Sequence, residues 1–373
     1  MNHFMIMSRG QFKIFLVGIF FLLLLPSARP AFGAYHFSSF RGRPPLHIFA
    51  TGKSPKGISP DVIKSMYHLP QKGGQGVIAL IGAYDSATIE NDLNIFSKAF
   101  ALPECTSANG CFEKHAMNDK MTSNSGWNLE TSLDVEWAHA IAPDAKILLI
   151  EAKTPSGANL LDAVDYASSR ADVVAISMSW GGAEFVEEKN LDVHFVSKFG
   201  AVFFASSGDN GTGASWPAAS PNVIAVGGTS LALKSDGSLS RETAWTGSGG
   251  GVSAYETQPS YQKSYSIPKA KGMRAIPDVS YDADPASGFS VYAKRKWYVL
   301  GGTSAGAPQW AGIRSLGLSA ANEKFYADKA SGAHATFFRD IVSGSNGNCT
   351  YYCDARKRYD YVTGLGSPLT INF

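Results

Sequence analysis

Apolar residues follow two alternating patterns along much of the chain. Continuous apolar runs, typical of strands buried on both faces of a sheet, occur at residues 76–84, 146–150, 173–176, 202–205 and 222–226. Apolar residues three and four positions apart, the spacing of one helix face, occur at 59–67, 91–100, 130–141, 158–168 and 191–199. This alternation predicts an α/β fold with helices on both faces of a parallel sheet.

Residues 229–298 interrupt the alternation. They are rich in Gly, Ser and Pro and predict loops, the parts of a fold in which substrate contacts often lie. The chain closes with one more helical pattern and a loop-rich tail. Its 373 residues contain 45% hydrophobic residues and no internal repeat, which suits a single large domain.

The first 33 residues have the pattern of a secretory signal peptide. Arg9 and Lys13 precede an apolar run over residues 14–25, and a small-residue site ends at Gly33. We expect cleavage after Gly33 and a secreted or periplasmic protein. An uncleaved anchor is the alternative, although the run is short for a membrane span.

Charge argues against a nucleic-acid partner. The formal net charge is +2, but Arg9, Lys13 and Arg29 lie in the signal segment, so the remaining chain has one more acidic than basic residue. No cluster of Lys and Arg follows. We therefore expect no nucleic-acid partner. We also expect no contact with a membrane after signal cleavage, and a monomeric protein.

Four cysteines lie in two close pairs, Cys105 with Cys111 and Cys349 with Cys353. In an exported protein they predict two local disulfides, and of the three possible connectivities we favour the nearest-neighbour one. A zinc site is disfavoured because His115 is the only histidine near either pair in sequence.

A candidate nucleophile, Ser304, lies in the small-residue sequence 301–308 that opens the last helical pattern. A hydroxyl in the first turn of a helix lies in a positive field that would stabilise an oxyanion, and glycines let a substrate backbone approach closely. Pro308 is compatible with a first helical turn. The alternative is a serine that only caps a buried helix.

Candidate carboxylates lie far upstream of the serine. Glu130 and Asp134 are four apart on a predicted helix and so share one face, where like charges repel. Buried together they would share a proton and raise one pKa; a pair on a solvated face is the alternative. We expect Glu136 to point away into solvent and His139 to be structural.

Asp209 directly follows a predicted strand, and sites form at the ends of strands in open parallel sheets. The alternative is that Asp209 is only a turn residue.

These segments resemble the sedolisins, the serine-carboxyl peptidases, which have a subtilisin-like fold. Gly302-Thr303-Ser304-Ala305 with Pro308 is similar to their nucleophile motif, Glu130 and Asp134 to their acid pair, and Ser207-Gly208-Asp209 to their oxyanion aspartate. Further matching segments lie at 225–229, 242–245, 249–253 and 277–280. The resemblance implies a short lead-in at 34–58 and one subtilisin-like peptidase domain at 59–373.

The resemblance implies that Ser304 is the nucleophile, Glu130 its general base, Asp134 the group that orients Glu130, and Asp209 an oxyanion-hole donor. Carboxyl groups suit an acidic medium, in which a histidine base would be protonated. We therefore expect a secreted endopeptidase that acts on proteins or peptides below about pH 5.5. The substrate is expected to lie extended beside 179–182 and 249–251.

Two other interpretations of the function stay open, and a third is disfavoured. The family also includes tripeptidyl-peptidases, and an inactive scaffold that only binds peptides is the alternative from another class. A Ser-His-Asp subtilisin would need a His-Gly-Thr type segment, and none of the eight histidines lies in one.

The tail resembles the calcium loop of the family. The resemblance implies one Ca²⁺ held by carboxylates of Asp340 and Asp360 and by backbone oxygens of Ile341, Arg356 and Arg358. The family usually has glycine at the two arginine positions. Members of the family commonly carry a long propeptide before the domain, whereas only residues 34–58 separate the predicted signal peptide from the first matching segment here. The chain also has Gly82 where an acidic residue commonly supports the general base.

Overall fold

The computed structural model describes residues 36–317, 321–327 and 337–369. These residues belong to one compact unit. The predicted signal segment, 1–33, lies outside them, as does Leu318 of the last predicted helix.

The secondary structure of the described residues consists of strands, α-helices and short 3₁₀ turns. The strands are β1 (His47–Gly52), β2 (Val77–Ala83), β3 (Phe112–Ala116), β4 (Lys146–Ala152), β5 (Val173–Met178), β6 (Gly182–Ala183), β7 (Val202–Ser206), β8 (Ser215–Trp216), β9 (Val223–Leu233), β10 (Leu239–Ala244), β11 (Gly251–Thr257), β12 (Met273–Ile276), β13 (Val279–Asp282), β14 (Phe289–Ala293), β15 (Lys296–Gly301), β16 (Phe338–Arg339) and β17 (Ser367–Pro368). The helices are α1 (Pro60–Met66), α2 (Ile89–Ala99), α3 (Ser125–Ile141), α4 (Gly157–Ser168), α5 (Ser260–Tyr265), α6 (Gly306–Ser315) and α7 (Asn322–Ala327).

A central sheet in the order β10-β9-β7-β5-β2-β4-β3 organises the fold, and β13 also pairs with β9. Its neighbours are parallel except for β10, which runs antiparallel to β9. The predicted parallel sheet is therefore confirmed. Parallel order brings the carboxyl ends of the strands to one edge, where sites form.

The two faces of the sheet are buried in two separate cores. Ile78 and Leu80 of β2 face the core that contains α3 and α6, whereas Ala79 and Ile81 face the core that contains α4. This division follows from the period of two along a strand. Burial on both faces explains why the predicted strands read as continuous apolar runs.

Two sequence predictions are wrong in detail. Residues 191–199 do not form an α-helix but the end of a 3₁₀ segment, Glu188–Phe195, followed by extended chain. Val193 and Phe199 of the predicted apolar face are 72% and 53% exposed, so no packing supports a longer helix. Residues 229–298 are not only loops, because β10 to β15 and α5 lie there. Those strands are short and are interrupted by Gly, Ser and Pro, so the alternation of apolar and polar positions along each strand is not visible in the sequence.

The lead-in is part of the folded unit. Its 3₁₀ turn Phe37–Ser39 precedes β1, and β1 pairs antiparallel with β15, the strand that leads to Ser304. Phe40 between them is completely buried. Sequence reasoning predicted an irregular segment here and missed β1.

Both predicted disulfides, Cys105–Cys111 and Cys349–Cys353, are confirmed. Within the described ranges, no helix combines the length and the apolar character that crossing a membrane requires.

Helix α3, which carries the candidate acids, begins at a side-chain cap. Asn124 is in extended conformation, and its side-chain oxygen accepts hydrogen bonds from the backbone N–H groups of Gly126 and Trp127. These amides would otherwise lack a partner in the first turn. The helix therefore starts five residues before the predicted start at residue 130.

We expect Asn124→Ala to lower the free energy of unfolding by about 1 kcal/mol, because two amides of the first turn lose their acceptor. Urea unfolding followed by circular dichroism would measure the change. Asn124→Ser retains an acceptor and should stay within a few tenths of a kcal/mol of the parent. Equal losses in both variants would show that the cap contact is not the cause.

Candidate active site

Ser304 lies in a one-turn 3₁₀ helix, Thr303–Ala305, between β15 and α6. Gly302 before it has φ of 132°, a conformation that disfavours other residues. A Cβ at Gly302 would also overlap the carbonyl oxygen of Pro45 and lie 2.6 Å from Asp209 Oδ2. Glycine is thus required here for conformation and for close approach.

The serine hydroxyl contacts the first candidate acid. Ser304 Oγ lies 3.2 Å from Glu130 Oε2, within hydrogen-bond distance, and both residues are almost completely buried. Helix α3 positions Glu130 by packing against α6. The structure therefore brings together two residues separated by 174 positions in the relation of nucleophile and base.

The two acids of α3 are buried side by side. Burial, followed by the charge of Asp134, raises the pKa of Glu130, whereas the hydrogen bond from Ser304 lowers it. Burial raises the pKa of Asp134 to about 8, against a hydrogen bond that Ser179 Oγ donates to Asp134 Oδ1 at 2.6 Å. The structure thus supports the shared-proton interpretation over a solvated pair.

Glu136 is not solvated, and that prediction is wrong. It is 0% exposed, and its Oε2 accepts a hydrogen bond from the backbone N–H of Tyr292 at 3.0 Å. Every residue of α3 from Glu130 onward is buried, because α2, α6 and β14 pack around this helix. Helical spacing shows which residues share a face, but not whether the opposite face is also covered.

His139 is structural, as predicted from the sequence. It is completely buried, its Nε2 lies 2.9 Å from the carbonyl oxygen of Pro103, and burial lowers its pKa. It also lies near Cys105 and Cys111, a proximity that sequence spacing could not reveal. These two sulfurs form a disulfide with each other.

Asp209 follows β7 and reaches the serine turn. Its Oδ1 accepts hydrogen bonds from Thr303 N and Thr303 Oγ1, both at 2.8 Å, and its Oδ2 lies 3.2 Å from His47 Nε2. Burial raises the pKa of Asp209, while His47 and Thr303 oppose the shift. The four predicted catalytic residues therefore lie around one centre.

The chain's own lead-in occupies the groove beside this centre, a feature that sequence reasoning missed. Arg43 pairs with Gly181 through two antiparallel backbone hydrogen bonds of 3.0 and 3.1 Å. Ser304 Oγ donates to the carbonyl oxygen of Pro45 at 2.7 Å, a shorter contact than that to Glu130. No motif in the sequence marks Pro45 or His47 as partners of the site.

The groove has a volume of about 670 Å³ and lies along the carboxyl edge of the sheet. Its walls include Asp209, Gly181 and Gly249, and the lead-in lines it from Ser39 to His47. Gly181 and Gly182 of the segment 179–182, which is predicted to pair with substrate, line this groove. Gly250 of the second predicted segment instead pairs with Thr212 and Gly213.

Gly82, the position without the expected acid, lies on β2 beside α3. A Cβ there would be 3.3 Å from Thr131 Oγ1. The space next to the general base candidate is therefore closed by Thr131, and a larger side chain would require this threonine to move.

The five predicted calcium ligands lie close together in the tail. Ile341 is buried in a small cluster with Val362. The backbone N–H of Arg356 donates to Asp360 Oδ2 at 3.0 Å, and that of Arg358 to Asp340 Oδ2 at 2.9 Å. Amide donors, rather than carbonyl oxygens alone, therefore face both carboxylates.

The hydrogen bonds at Asp360 compete with a calcium ion for its carboxylate oxygens. Asp360 accepts four hydrogen bonds in all, two at Oδ1 from Val362 N and Thr363 N, and two at Oδ2 from Arg356 N and Thr363 Oγ1. A carboxylate offers about four acceptor positions, so hydrogen bonds fill those that a cation would use. Calcium stays a prediction from the resemblance alone.

Comparisons with known proteins agree with the geometry. The profile of the Subtilase family matches residues 116–337. Kumamolisin from Bacillus sp. (strain MN-32) is 30% identical over 397 residues, which cover 95% of the chain and 69% of kumamolisin. Sedolisin from Pseudomonas sp. (strain 101) is 30% identical over 317 residues, or 71% and 53% of the two chains. Tripeptidyl-peptidase 1 from Dictyostelium discoideum is 28% identical over 369 residues, or 83% and 57%.

The solved structure of Pseudomonas sedolisin, a serine-carboxyl proteinase complexed with two molecules of pseudo-iodotyrostatin, is similar with a TM-score of 0.73. The alignment has 27% identity and covers 84% of this chain and 96% of that one. The predicted subtilisin-like fold is confirmed. The chain spans about half to two-thirds of the length of these curated relatives.

We expect the free energy of unfolding to fall as pH rises from about 5 to about 7. Burial raises the pKa of Asp134 to about 8, so the folded state holds a proton that the unfolded state, with an ordinary carboxyl pKa near 4, has lost. The stability is present below the unfolded pKa and is lost as pH approaches the folded pKa. Each such carboxyl contributes up to about 1.4 kcal/mol per pH unit.

Urea unfolding at a series of pH values would measure this slope. Asp134→Asn removes the proton uptake but keeps an oxygen that can accept from Ser179, so the slope should become shallower. Asp119→Asn, on the exposed surface, is the matched control and should leave it unchanged. An identical slope in Asp134→Asn would contradict the assignment.

Proposed function

The chain belongs to the sedolisins, within the Subtilase family, and on this basis we propose that it is an acid-active serine-carboxyl endopeptidase that cleaves proteins or peptides. One observation carries the proposal. A completely buried serine hydroxyl lies 3.2 Å from a buried carboxylate of Glu130, and a second buried acid, Asp134, lies one helical turn away from it.

The acid pair supplies the base in acid solution. Burial raises the pKa of both acids, and the charge of Asp134 raises that of Glu130 further, so the pair titrates as a unit. We assign the ionised state to Glu130 because it is the member that contacts Ser304. The ionised Glu130 then accepts the proton of Ser304 as the hydroxyl attacks a substrate carbonyl and forms an acyl-enzyme. Glu130 returns that proton to the leaving amine, and it activates water in the second half of the reaction.

Asp209 stabilises the oxyanion only while it carries a proton. A neutral carboxyl can donate a hydrogen bond to the developing charge, and an ionised one would repel it. Burial raises the pKa of Asp209, while His47 and Thr303 oppose the shift, so acid solution favours the protonated donor. Thr303 holds its other oxygen through two hydrogen bonds and so fixes the direction of this donor.

A tripeptidyl-peptidase is the second candidate. A relative carries that name, and the lead-in of this chain fills the groove on the side of Gly181. A groove closed there would limit how many residues of a substrate fit before the cleaved bond. The position of cleavage in a long peptide distinguishes the two activities.

Export and the monomeric state are proposals as well. The two disulfides support an oxidising compartment, and the amino-terminal sequence pattern supports a signal peptide. Calcium has no part in the proposed mechanism, because the carboxylates of the tail are already hydrogen-bonded.

We expect hydrolysis of a denatured protein to peak below about pH 5.5 and to be lost as pH rises and Asp209 loses the proton that it donates to the oxyanion. The assay compares the parent with Ser304→Ala over a pH range of about 2.5 to 8. Acid-limited cleavage that the substitution abolishes supports the proposal. A neutral optimum would contradict the proposed acid-active peptidase, and no cleavage by folded protein at any pH would favour the peptide-binding scaffold.

We expect Glu130→Gln to lower kcat by at least about 100-fold, because an amide cannot accept the serine proton. Glu136→Gln is the matched control on the same helix. Its oxygen can still accept from Tyr292 N, and it makes no contact with Ser304, so kcat should stay within about three-fold of the parent. A similar loss of kcat in both variants would indicate helix damage rather than loss of a base.

A further inference from the structure

The lead-in crosses the groove in the conformation of a bound peptide. We call residues 40–47 the crossing segment. Arg43 exchanges two backbone hydrogen bonds with Gly181, which is how an extended peptide adds to a strand edge. Two residues later the carbonyl oxygen of Pro45 accepts a hydrogen bond from Ser304 Oγ. The segment therefore has a register relative to the nucleophile, in which the carbonyl oxygen of Pro45 contacts the serine hydroxyl.

An aromatic cage holds the start of the crossing segment. Phe40 is 0% exposed, and its ring centroid lies 4.8 Å from that of Trp216 in an edge-to-face arrangement and 5.7 Å from that of Phe185. Its floor is Gly182, where a Cβ would lie 2.7 Å from Phe40 Cε2. Glycine at the floor thus makes the room that the ring occupies.

A second restriction lies two residues along the segment. A Cβ on Gly42 would lie 2.6 Å from Leu160 Cδ1 and 3.4 Å from Trp180 Cε3. The backbone N–H of Gly42 donates to the carbonyl oxygen of Pro155 at 2.8 Å, which holds the chain against this wall. The groove thus accepts glycine, three residues before the carbonyl at the nucleophile, more easily than any residue with a side chain.

We propose that the cage of Phe185, Trp216 and Gly182 is a distal substrate subsite for an aromatic side chain, and that the crossing segment occupies it as a built-in pseudosubstrate. The preferred ligand is an extended peptide with an aromatic residue five positions, and glycine three positions, before the residue whose carbonyl meets Ser304. The inference that the bound peptide is a substrate rests on the proposed function. Binding of the peptide at the subsite can be measured without cleavage. Burial of a whole aromatic ring is a large contribution to peptide affinity.

The binding test uses the full chain with Ser304→Ala and Phe40→Ala together, so that the cage is emptied and no bond can be cut. The probes are the peptide Ser-Phe-Arg-Gly-Arg-Pro-Pro-Leu-His, which copies residues 39–47, and the same peptide with Ala in place of Phe. Isothermal titration calorimetry gives both affinities. We expect the Phe peptide to bind at least about ten-fold more tightly.

The same titration of Ser304→Ala alone tests the pseudosubstrate. With Phe40 in place, we expect the Phe peptide to bind at least about ten-fold more weakly than it binds the double variant, because it must displace the segment. Phe49→Ala combined with Ser304→Ala is the matched control, since Phe49 is 62% exposed on β1, and it should match Ser304→Ala. Equal binding of the Phe and Ala peptides to the emptied cage, or no binding of either, would overturn the proposal.

A second variant, Gly42→Ala, tests the proposal if Phe40→Ala unfolds the chain. Gly42→Ala leaves the aromatic core intact but forces a methyl group against Leu160, which should displace the crossing segment and strengthen binding of the Phe peptide to the Ser304→Ala chain. A peptide with Ala at its Gly position should bind at least about ten-fold more weakly than the parent peptide. Equal affinities of these two peptides for the chain that carries Gly42→Ala and Ser304→Ala would also overturn the proposal.

Activity separates this inference from the proposed function. In the acid assay, Gly42→Ala with Ser304 intact should lower the substrate concentration for half-maximal rate and leave the rate at saturation unchanged, as expected when an intramolecular competitor is weakened. A chain that binds the peptides as expected but never cleaves protein would refute the peptidase and keep the subsite. A chain that cleaves protein but shows no preference for the aromatic residue would refute the subsite and keep the peptidase.

Discussion

The burial of two carboxyl groups next to one hydroxyl is the constraint on which the rest of this structure depends. Glu130 and Asp134 are removed from water by packing on every side of α3, and no cation neutralises them among the contacts described for the pair. A buried carboxyl is stable when it is protonated or hydrogen-bonded. Acidic conditions therefore favour the folded state, and the same burial links the stability of the protein to the protonation of its acid pair.

The parallel sheet brings the members of the site together from distant parts of the chain. Asp209 follows β7, Gly181 follows β5, and Ser304 begins the turn into α6, while α3 packs against α6 on one face of the sheet. Because parallel strands end at one edge, the loops after β5 and β7 place Gly181 and Asp209 there. Strand β15 of the antiparallel sheet leads to Ser304, and helix α3 carries the base. Rigid elements on both sides of the loops keep the distances between these residues short.

The crossing segment connects the folding of the lead-in to access to the site. Phe40 lies in an aromatic cage at one end, and β1 pairs with β15 at the other, so the residues between them are held across the nucleophile. The same backbone positions that would bind a substrate thus stabilise the resting structure. Any peptide that enters must replace contacts that the chain already makes with itself.

The sequence by itself determined the α/β class, the bounds of most core strands and helices, both disulfides and the four residues at the centre. It could do so because apolar period and short motifs are local signals. Only the tertiary structure decided that Glu136 is buried, that Asp360 is saturated by amide donors, and that Pro45 lies on Ser304. Each of these depends on which element covers a face or fills a groove, and such contacts between distant residues leave no period or spacing in the chain.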